Sequence, residues 1–333
     1  MNFLVRLRPT GPWRIGPPGG FRETTDLLYR GDALYSAVCT AMSYTGMLDE
    51  WLAATAANPD GSAVRFSSLF PFVEGADLIT PPRTLWPPAP SAKLRWKSAT
   101  FVPVSVVESL LAGQALNEET WAIDGPSESL VPSGQNGPFR LATSQNAAVD
   151  RLTGTALPHS TAYLEFTPKS GLWCLVSTPD NWVEPIQAAF RWLADSGFGG
   201  ERNRGWGRSE SPIFSEVNGL LATQTDSQEY WLLSPYSPAA ADEVAWDRGN
   251  YTVLTRGGWV SNSSEPKKHV KMIAEGSVLS STKALQGAAP NVAPEGFAHP
   301  VYRAGFAYSI ALPAVAIPAA TPAATPASMA VSE

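Results

Sequence analysis

Five glycines and three arginines fall within the twelve residues GFGGERNRGWGR, positions 197–208. Residues without a Cβ let backbone N–H groups come close to a phosphate, which makes Gly199, Gly200 and Gly207 candidate contact positions. Arg202, Arg204 and Arg208 are suited to bidentate, charge-assisted hydrogen bonds with phosphate oxygens. Trp206 offers a ring face on which a base can stack, and Asn203 stands among these donors. This is chemistry for gripping a strand, with nothing in it that breaks a bond. A plainer explanation is a glycine turn that merely lets a helix and a strand pack closely, and three interleaved arginines weigh against that being the whole account. A dinucleotide fingerprint needs its glycines after a strand and before a helix, whereas these follow a helical pattern; a P-loop needs Gly-Lys-Ser or Gly-Lys-Thr, which is absent. Glu201 is ill suited to phosphate and is expected to orient a neighbouring arginine or to face a partner.

Further basic positions lie elsewhere. Lys267, Lys268 and Lys271 surround His269, and Arg83, Lys93, Arg95 and Lys97 fall in an acid-free run; each run taken singly is better explained by a solvated loop. Arg140 and Arg151 flank the polar stretch 142–150, which reads as an extended hairpin able to reach along a bound strand. An ordinary surface loop held by an Asp150 ion pair accounts for it equally well. The three histidines, His159, His269 and His299, have no partner at a fixed spacing. Cys39 and Cys174 each sit in an apolar run and read as buried, reduced thiols, so neither a metal nor any cofactor is implied.

The whole chain has 333 residues, a net charge of −6 and an isoelectric point near 5.2. That balance argues against a protein that finds naked nucleic acid by long-range attraction and leaves room for local basic surfaces. Charged residues make up only 16% of the chain beside 27 Gly and 30 Pro, which fits surface covered by partners and equally a loop-rich fold with many turns. No run approaches the roughly 20 apolar residues of a membrane span, and the charged start MNFLVRLRPTG does not read as a signal peptide. A cytoplasmic location without a membrane partner follows as the expectation.

Several elements must position these residues. Residues 3–8 read as a strand; Asp32 reads as the N-cap of a helix carrying Leu34, Ala37, Val38 and Ala41 at helical spacing. Strand, loop, helix is the opening of a ferredoxin-like unit. Residues 59–146 show weak periodicity and many breakers, predicting long ordered loops. Residues 162–166 and 173–177 read as the two arms of a hairpin, and Val183, Ile186, Phe190 and Leu193 mark a helix ending at Gly197. Strands are predicted at 230–234, 251–256 and 304–311. The reading is an α+β chain of two ferredoxin-like domains with long loop insertions. Residues 1–212 form the first, with insertions over 59–160; residues 213–312 form a second, β-rich one. Residues 313–333 form an Ala/Pro tail without structure.

The helix followed by GFGGERNRGWGR resembles the glycine-rich loop of the RAMP superfamily of CRISPR-associated proteins, whose members are built from ferredoxin-like RNA-recognition folds. Within it, RGDALYSA (30–37), VDRLTGT (149–155), RGGW (256–259), KKHVKMIAEGS (267–277) and HPVYRAG (299–305) are similar, in order, to motifs of the subunit that binds the guide 5′ handle in the type III-A, or Csm, effector. Where members of that group often have His and Ser before the first-helix Asp, this chain has Arg30 and Gly31; Arg30 keeps a basic side chain for phosphate contact. The resemblance implies a non-catalytic subunit that holds the crRNA 5′ handle and joins the large polymerase-like CRISPR subunit to the backbone RAMP subunits. Some RAMP proteins are instead guide-processing nucleases with a histidine acid or base, but those generally carry the glycine loop near the C-terminus, and here more than a hundred residues follow it.

Overall fold

The computed structural model describes residues 1–17, 20–88, 94–222, 227–261, 263 and 265–313. The Ala/Pro tail expected from 313 therefore lies, from 314 onward, outside the described residues, as does Lys93.

From the N-terminus come strand β1 (Asn2–Leu7), helices α1 (Gly31–Tyr44) and α2 (Leu48–Ala54), and strands β2 (Arg65–Phe66), β3 (Phe70–Val73), β4 (Ala76–Ile79) and β5 (Val102–Pro103). Helix α3 (Val104–Leu111), the pair β6 (Trp121–Asp124) and β7 (Ser129–Pro132), and two long strands, β8 (Phe139–Val149) and β9 (Ala156–Phe166), follow. Strand β10 (Ser170–Ser177), helix α4 (Val183–Ser196) and strand β11 (Ile213–Glu216) complete this half. Its main sheet runs β11-β1-β10-β3-β4-β5, with β2 also pairing with β10. Strands β1, β3, β10 and β11 with helices α1 and α4 make a β-α-β-β-α-β succession, and everything from β4 to β9 is inserted between its second and third strands. Central β1 is flanked on both sides, Val5 lying opposite Cys174 and Phe214. Both its faces are covered, so Phe3, Leu4, Val5 and Leu7 are all buried. The first sheet thus runs past residue 212 to Glu216.

Three expectations change. The stretch 59–146 keeps loops, at 80–88 and 112–120 among others, but carries short strands, a 3₁₀ turn (Leu94–Ser98) and helix α3 between them, because strands of two to four residues containing Pro71, Pro103 or Pro132 are too short to show a period. The two arms predicted at 162–166 and 173–177 are strands but not each other's partners: β9 pairs with β8, from Phe166 opposite Phe139 to Ala156 opposite Val149, while β10 lies between β1 and β3. A period of two shows that a segment is extended and carries no information about which strand it meets. Asp32 does not cap α1; it lies inside the first turn and is buried, while the Gly31 N–H is satisfied by Ser68 Oγ at 2.9 Å.

The second half adds β12 (Glu229–Leu232), β13 (Val244–Asn250), β14 (Val253–Arg256), β15 (Val270–Ile273), β16 (Val278–Ser281) and β17 (Ser309–Ala311), as a sheet β13-β16-β12-β17 and a ribbon β14-β15. No helix occurs among the described residues from 227 to 313, so this half is all-β there. The core crosses the boundary. Trp231 and Leu233, with Phe306, Tyr308 and Ile310, join the core of the first half, whereas Leu232 and Ala307 face a smaller cluster with Tyr236, Ile273, Leu279 and Leu285. That alternation is the strand period applied to segments buried on both faces. Cys39 and Cys174 are free thiols; burial pushes the Cys39 thiol up to about 11 and raises that of Cys174 further.

Candidate nucleic-acid interface

Helix α4 places the glycine loop. Ile186, Ala189, Phe190 and Leu193 form its buried face, and the helix stops where the Gly197 N–H donates to Leu193 O at 2.9 Å with Gly197 at φ 78°. The loop then folds on itself and on the segment after β1. The N–H of Phe198 donates to Gly207 O (3.2 Å), that of Gly200 to Arg14 O (2.8 Å) and that of Gly207 to Pro12 O (2.9 Å). Phe198 plugs the loop into the core, edge-on to Trp13 at 4.6 Å and Tyr29 at 5.1 Å. At Gly207, with φ 78°, a Cβ would lie 2.0 Å from Phe198 O; at Gly199, with φ 95°, it would lie 2.7 Å from Arg14 O. These glycines therefore serve close backbone packing. The expectation that main-chain donors face a phosphate fails at Gly200 and Gly207, whose N–H groups are already taken.

The polar side chains behave differently. Arg202, Asn203, Arg204 and Arg208 are exposed, carried outward by a short 3₁₀ turn, Arg202–Arg204. Glu201 holds Arg204, Oε2 to Nε 3.1 Å, which is the orienting role foreseen for it; Arg204 Nη1 also donates to Asn146 Oδ1 at 2.9 Å. Trp206 is half-buried with its ring 4.9 Å from that of Tyr163, so one face of the indole is already occupied. Asn146 and Tyr163 belong to β8 and β9, so the loop and the long hairpin brace each other.

That hairpin projects with little support. Along β8 only Phe139, at its base, is buried, and Leu152 is 97% exposed in the turn, with Leu141, Val149 and Leu157 also exposed. Arg140 makes a cross-strand pair with Glu165 at 3.0 Å, and Arg151 stands exposed in the turn. Asp150 is a turn residue rather than half of an ion pair: its Oδ1 accepts from the Leu152 N–H at 2.8 Å, and these backbone donors hold its carboxyl below the usual range. A two-stranded ribbon bearing this much exposed aliphatic surface is marginal by itself and suited to lying against a partner.

A second cluster lies where the two halves meet, and sequence reasoning missed it. Buried Asp32 of α1 accepts from Arg256 Nε at 2.9 Å and Nη2 at 3.1 Å, and from Arg303 Nη1 at 2.7 Å. Burial opposes ionisation of Asp32, yet the two guanidiniums more than offset it and its pKa lies below the ordinary value. Next to it, Arg30 and Ser68 both donate to the buried carboxylate of Glu275, and Arg30 also lies 3.6 Å from Asp26. Arg30, expected to meet phosphate, is thus engaged by two carboxylates of its own chain. The motifs 30–37, 256–259, 267–277 and 299–305 converge here. The signal available in sequence was one of type only, acid in the first motif and arginine in the later ones, with 224 and 271 residues between partners.

Above this seam is an open cleft of about 400 Å³ between α1, the glycine loop and the second half, lined among others by Arg30, Arg202, Arg256, Lys267 and Arg303. Of the three lysines placed together by sequence, only Lys267 lines it. Lys268 and Lys271 are exposed, the latter on β15 opposite Thr255. The histidines stand apart: His159 opposite Asn146 in the hairpin, His269 against Gly257, and His299 beside Phe297 with Nδ1 3.0 Å from Pro300 O. Among the described residues, no three His, Cys, Asp or Glu side chains converge as a metal site, and no helix is long and apolar enough to cross a membrane.

The family model described as the RAMP superfamily matches residues 19–210, and that of the CRISPR Csm4 C-terminal domain matches residues 225–312. No curated protein matches in sequence. Among solved structures, a chain in the crystal structure of a Csm3-Csm4 subcomplex of the type III-A CRISPR-Cas interference complex superposes with a TM-score of 0.65 at 13% identity, covering 93% of this chain and 99% of that one. Chains in crystal structures of a Csm1-Csm4 cassette with cA4 and with pppApA give 0.60 at 18% identity and 0.59 at 19%, each covering 94% and 98% of the two chains. At these identities the likeness is one of fold.

Proposed function

The chain belongs to the RAMP superfamily, and from that premise we propose that it is the subunit of a type III-A effector that holds the 5′ handle of the guide RNA. It acts by binding and not by catalysis. The proposal also has it join a large polymerase-like subunit to backbone RAMP subunits in the cytoplasm; the structurally similar chains come from Csm1-Csm4 and Csm3-Csm4 assemblies. The observation that carries the reading is the division of labour in residues 197–208. The glycines lock the loop into the core, and Arg202, Arg204 and Arg208 stand clear of it beside a projecting hairpin with exposed Leu141, Val149 and Leu152. Single-stranded RNA is held by phosphate neutralisation and by stacking of splayed bases on side chains; the arginines supply the first, and the indole face of Trp206 not taken by Tyr163 is the group available for the second.

Arg202→Ala combined with Arg204→Ala tests it. In a reconstituted complex the double variant loses guide retention, and the dependence of log K on log salt becomes shallower by about 1.4, at roughly 0.7 per phosphate contact on a single strand. Unchanged retention and an unchanged salt slope, with a folded variant, refute the reading. Metal-independent cleavage of repeat RNA that disappears in His159→Ala or His269→Ala would favour a guide-processing nuclease instead.

A further inference from the structure

The cleft between the two halves carries more positive charge than its carboxylates balance. Five cations, Arg30, Arg202, Arg256, Lys267 and Arg303, line it, against Asp26, Asp32 and Glu275 in or beneath it. Arg30 is paired with Glu275 and Asp26, and Arg256 is paired with Asp32 on two nitrogens. Arg303 gives Nη1 to Asp32 and Nη2 to Gly257 O at 2.6 Å, while its Nε, in a side chain more than nine-tenths buried, has no partner. Among the described residues neither Lys267 nor Arg202 has a carboxylate within salt-bridge distance. Lys267 is half-buried, and its backbone N–H is fixed on Gly258 O at 2.8 Å, which sets the side chain at the cleft wall. One residue further along, Trp259 lies opposite Pro266 and lines the same cleft with 63% of its surface exposed.

We propose that this cleft is a one-nucleotide pocket, in which Lys267, Arg202 and Arg303 hold a phosphate of the bound strand and Trp259 carries the adjoining base. The proposal rests on the reading of the chain as a guide-handle subunit and adds a second contact region, a cleft that shares Arg202 with the glycine loop. The chemistry follows from the pairing just described. Unpaired cations at the cleft wall, half-buried Lys267 and exposed Arg202, beside a carboxylate already shared by two guanidiniums favour an added anion, and a phosphate can accept from both without displacing any existing ion pair. Burial first, then the neighbouring Arg303, pushes the Lys267 ammonium down to about 8, with Arg256 acting in the same sense and Asp32 and Cys39 against it. A phosphate at this position would favour the protonated form.

The test is the affinity of the full chain for a handle RNA between pH 7 and pH 9, for wild type, Lys267→Gln, Lys267→Arg and Trp259→Ala. Wild-type affinity falls as pH rises through about 8, because the free ammonium is lost there. Lys267→Gln binds about ten- to a hundredfold more weakly and shows no such fall. Lys267→Arg retains tight binding to pH 9, since a guanidinium does not titrate in that range. Trp259→Ala weakens binding about five- to a hundredfold and keeps the wild-type pH profile. Handle RNAs with a 5′-phosphate and with a 5′-hydroxyl identify the group held: Lys267 dependence with both assigns an internal phosphodiester, and dependence with the 5′-phosphate only assigns the terminal phosphate. If Lys267→Gln keeps wild-type affinity and pH profile while Arg202→Ala with Arg204→Ala abolishes binding, the pocket is refuted and the handle-binding reading stands. If neither set changes affinity, that reading fails as well.

Discussion

Substituting Asp32 by Asn exchanges one oxygen for an NH₂ group at constant volume, so its effect isolates charge from packing. Asp32 is 2% exposed and is the shared acceptor of Arg256 and Arg303, at 2.9, 3.1 and 2.7 Å. The amide cannot accept at both former oxygens, and two guanidiniums are left in a buried site with no counter-charge. Removing one partner of a buried ionic cluster costs about 3–5 kcal/mol. The core is continuous between the halves, so the chain is expected to unfold as one unit. With an unfolding entropy of about 2.1 cal/mol/K per residue, roughly 0.70 kcal/mol/K for this chain, the loss corresponds to a fall in Tm of about 4–7 °C. Calorimetry of the full chain at pH 7 measures it. A variant with Asp32→Leu, Arg256→Met and Arg303→Met removes all the charges together and recovers most of the loss, because no buried ion is then unpaired. The Asp32 carboxyl is depressed by its partners, so its contribution is complete above the unfolded value of about 3.9 and is lost as pH falls through the lower folded value; Asp32→Asn therefore flattens the acid limb of the stability curve. A fall in Tm below about 2 °C in the Asn variant would show that the cluster does not hold the halves together.

Two further outcomes check the local geometry. Gly207→Ala costs about 3 kcal/mol, since its Cβ meets Phe198 O at a positive φ, whereas Gly205→Ala, at φ 77° with open space around it, costs only about 1 kcal/mol; equal losses in denaturant melts would refute the close-packing role of Gly207. Cys39, with its thiol pushed up to about 11 by burial, should alkylate at pH 8 about a hundredfold more slowly in the native chain than after unfolding, and comparable rates, followed by mass, would contradict its placement on α1 against Trp51.

The strand 2–7 and the helices 31–44 and 183–196 were legible because each is long or periodic enough to display its face, and the four-residue strands 229–232 and 253–256 through their aromatic and β-branched residues. The arginines of the glycine loop were legible as exposed groups, since composition in a turn places charge in water. The role of the glycines was not, because whether a bare backbone N–H meets a phosphate or Pro12 O depends on a segment almost 200 residues away. Asp32 was misjudged for the same reason: it was assigned to capping, and it is held by arginines more than 200 residues away; the Glu275 partner of Arg30 is as distant. Patterns of two and 3.6 residues, set by backbone geometry, determined which stretches become strands and helices and which side chains stay wet. Only the tertiary structure decided the partners of β9 and β10, the seam at Asp32 and the single lysine in the cleft, because Coulomb energy and hydrogen bonding depend on distance in space, to which sequence separation is no guide.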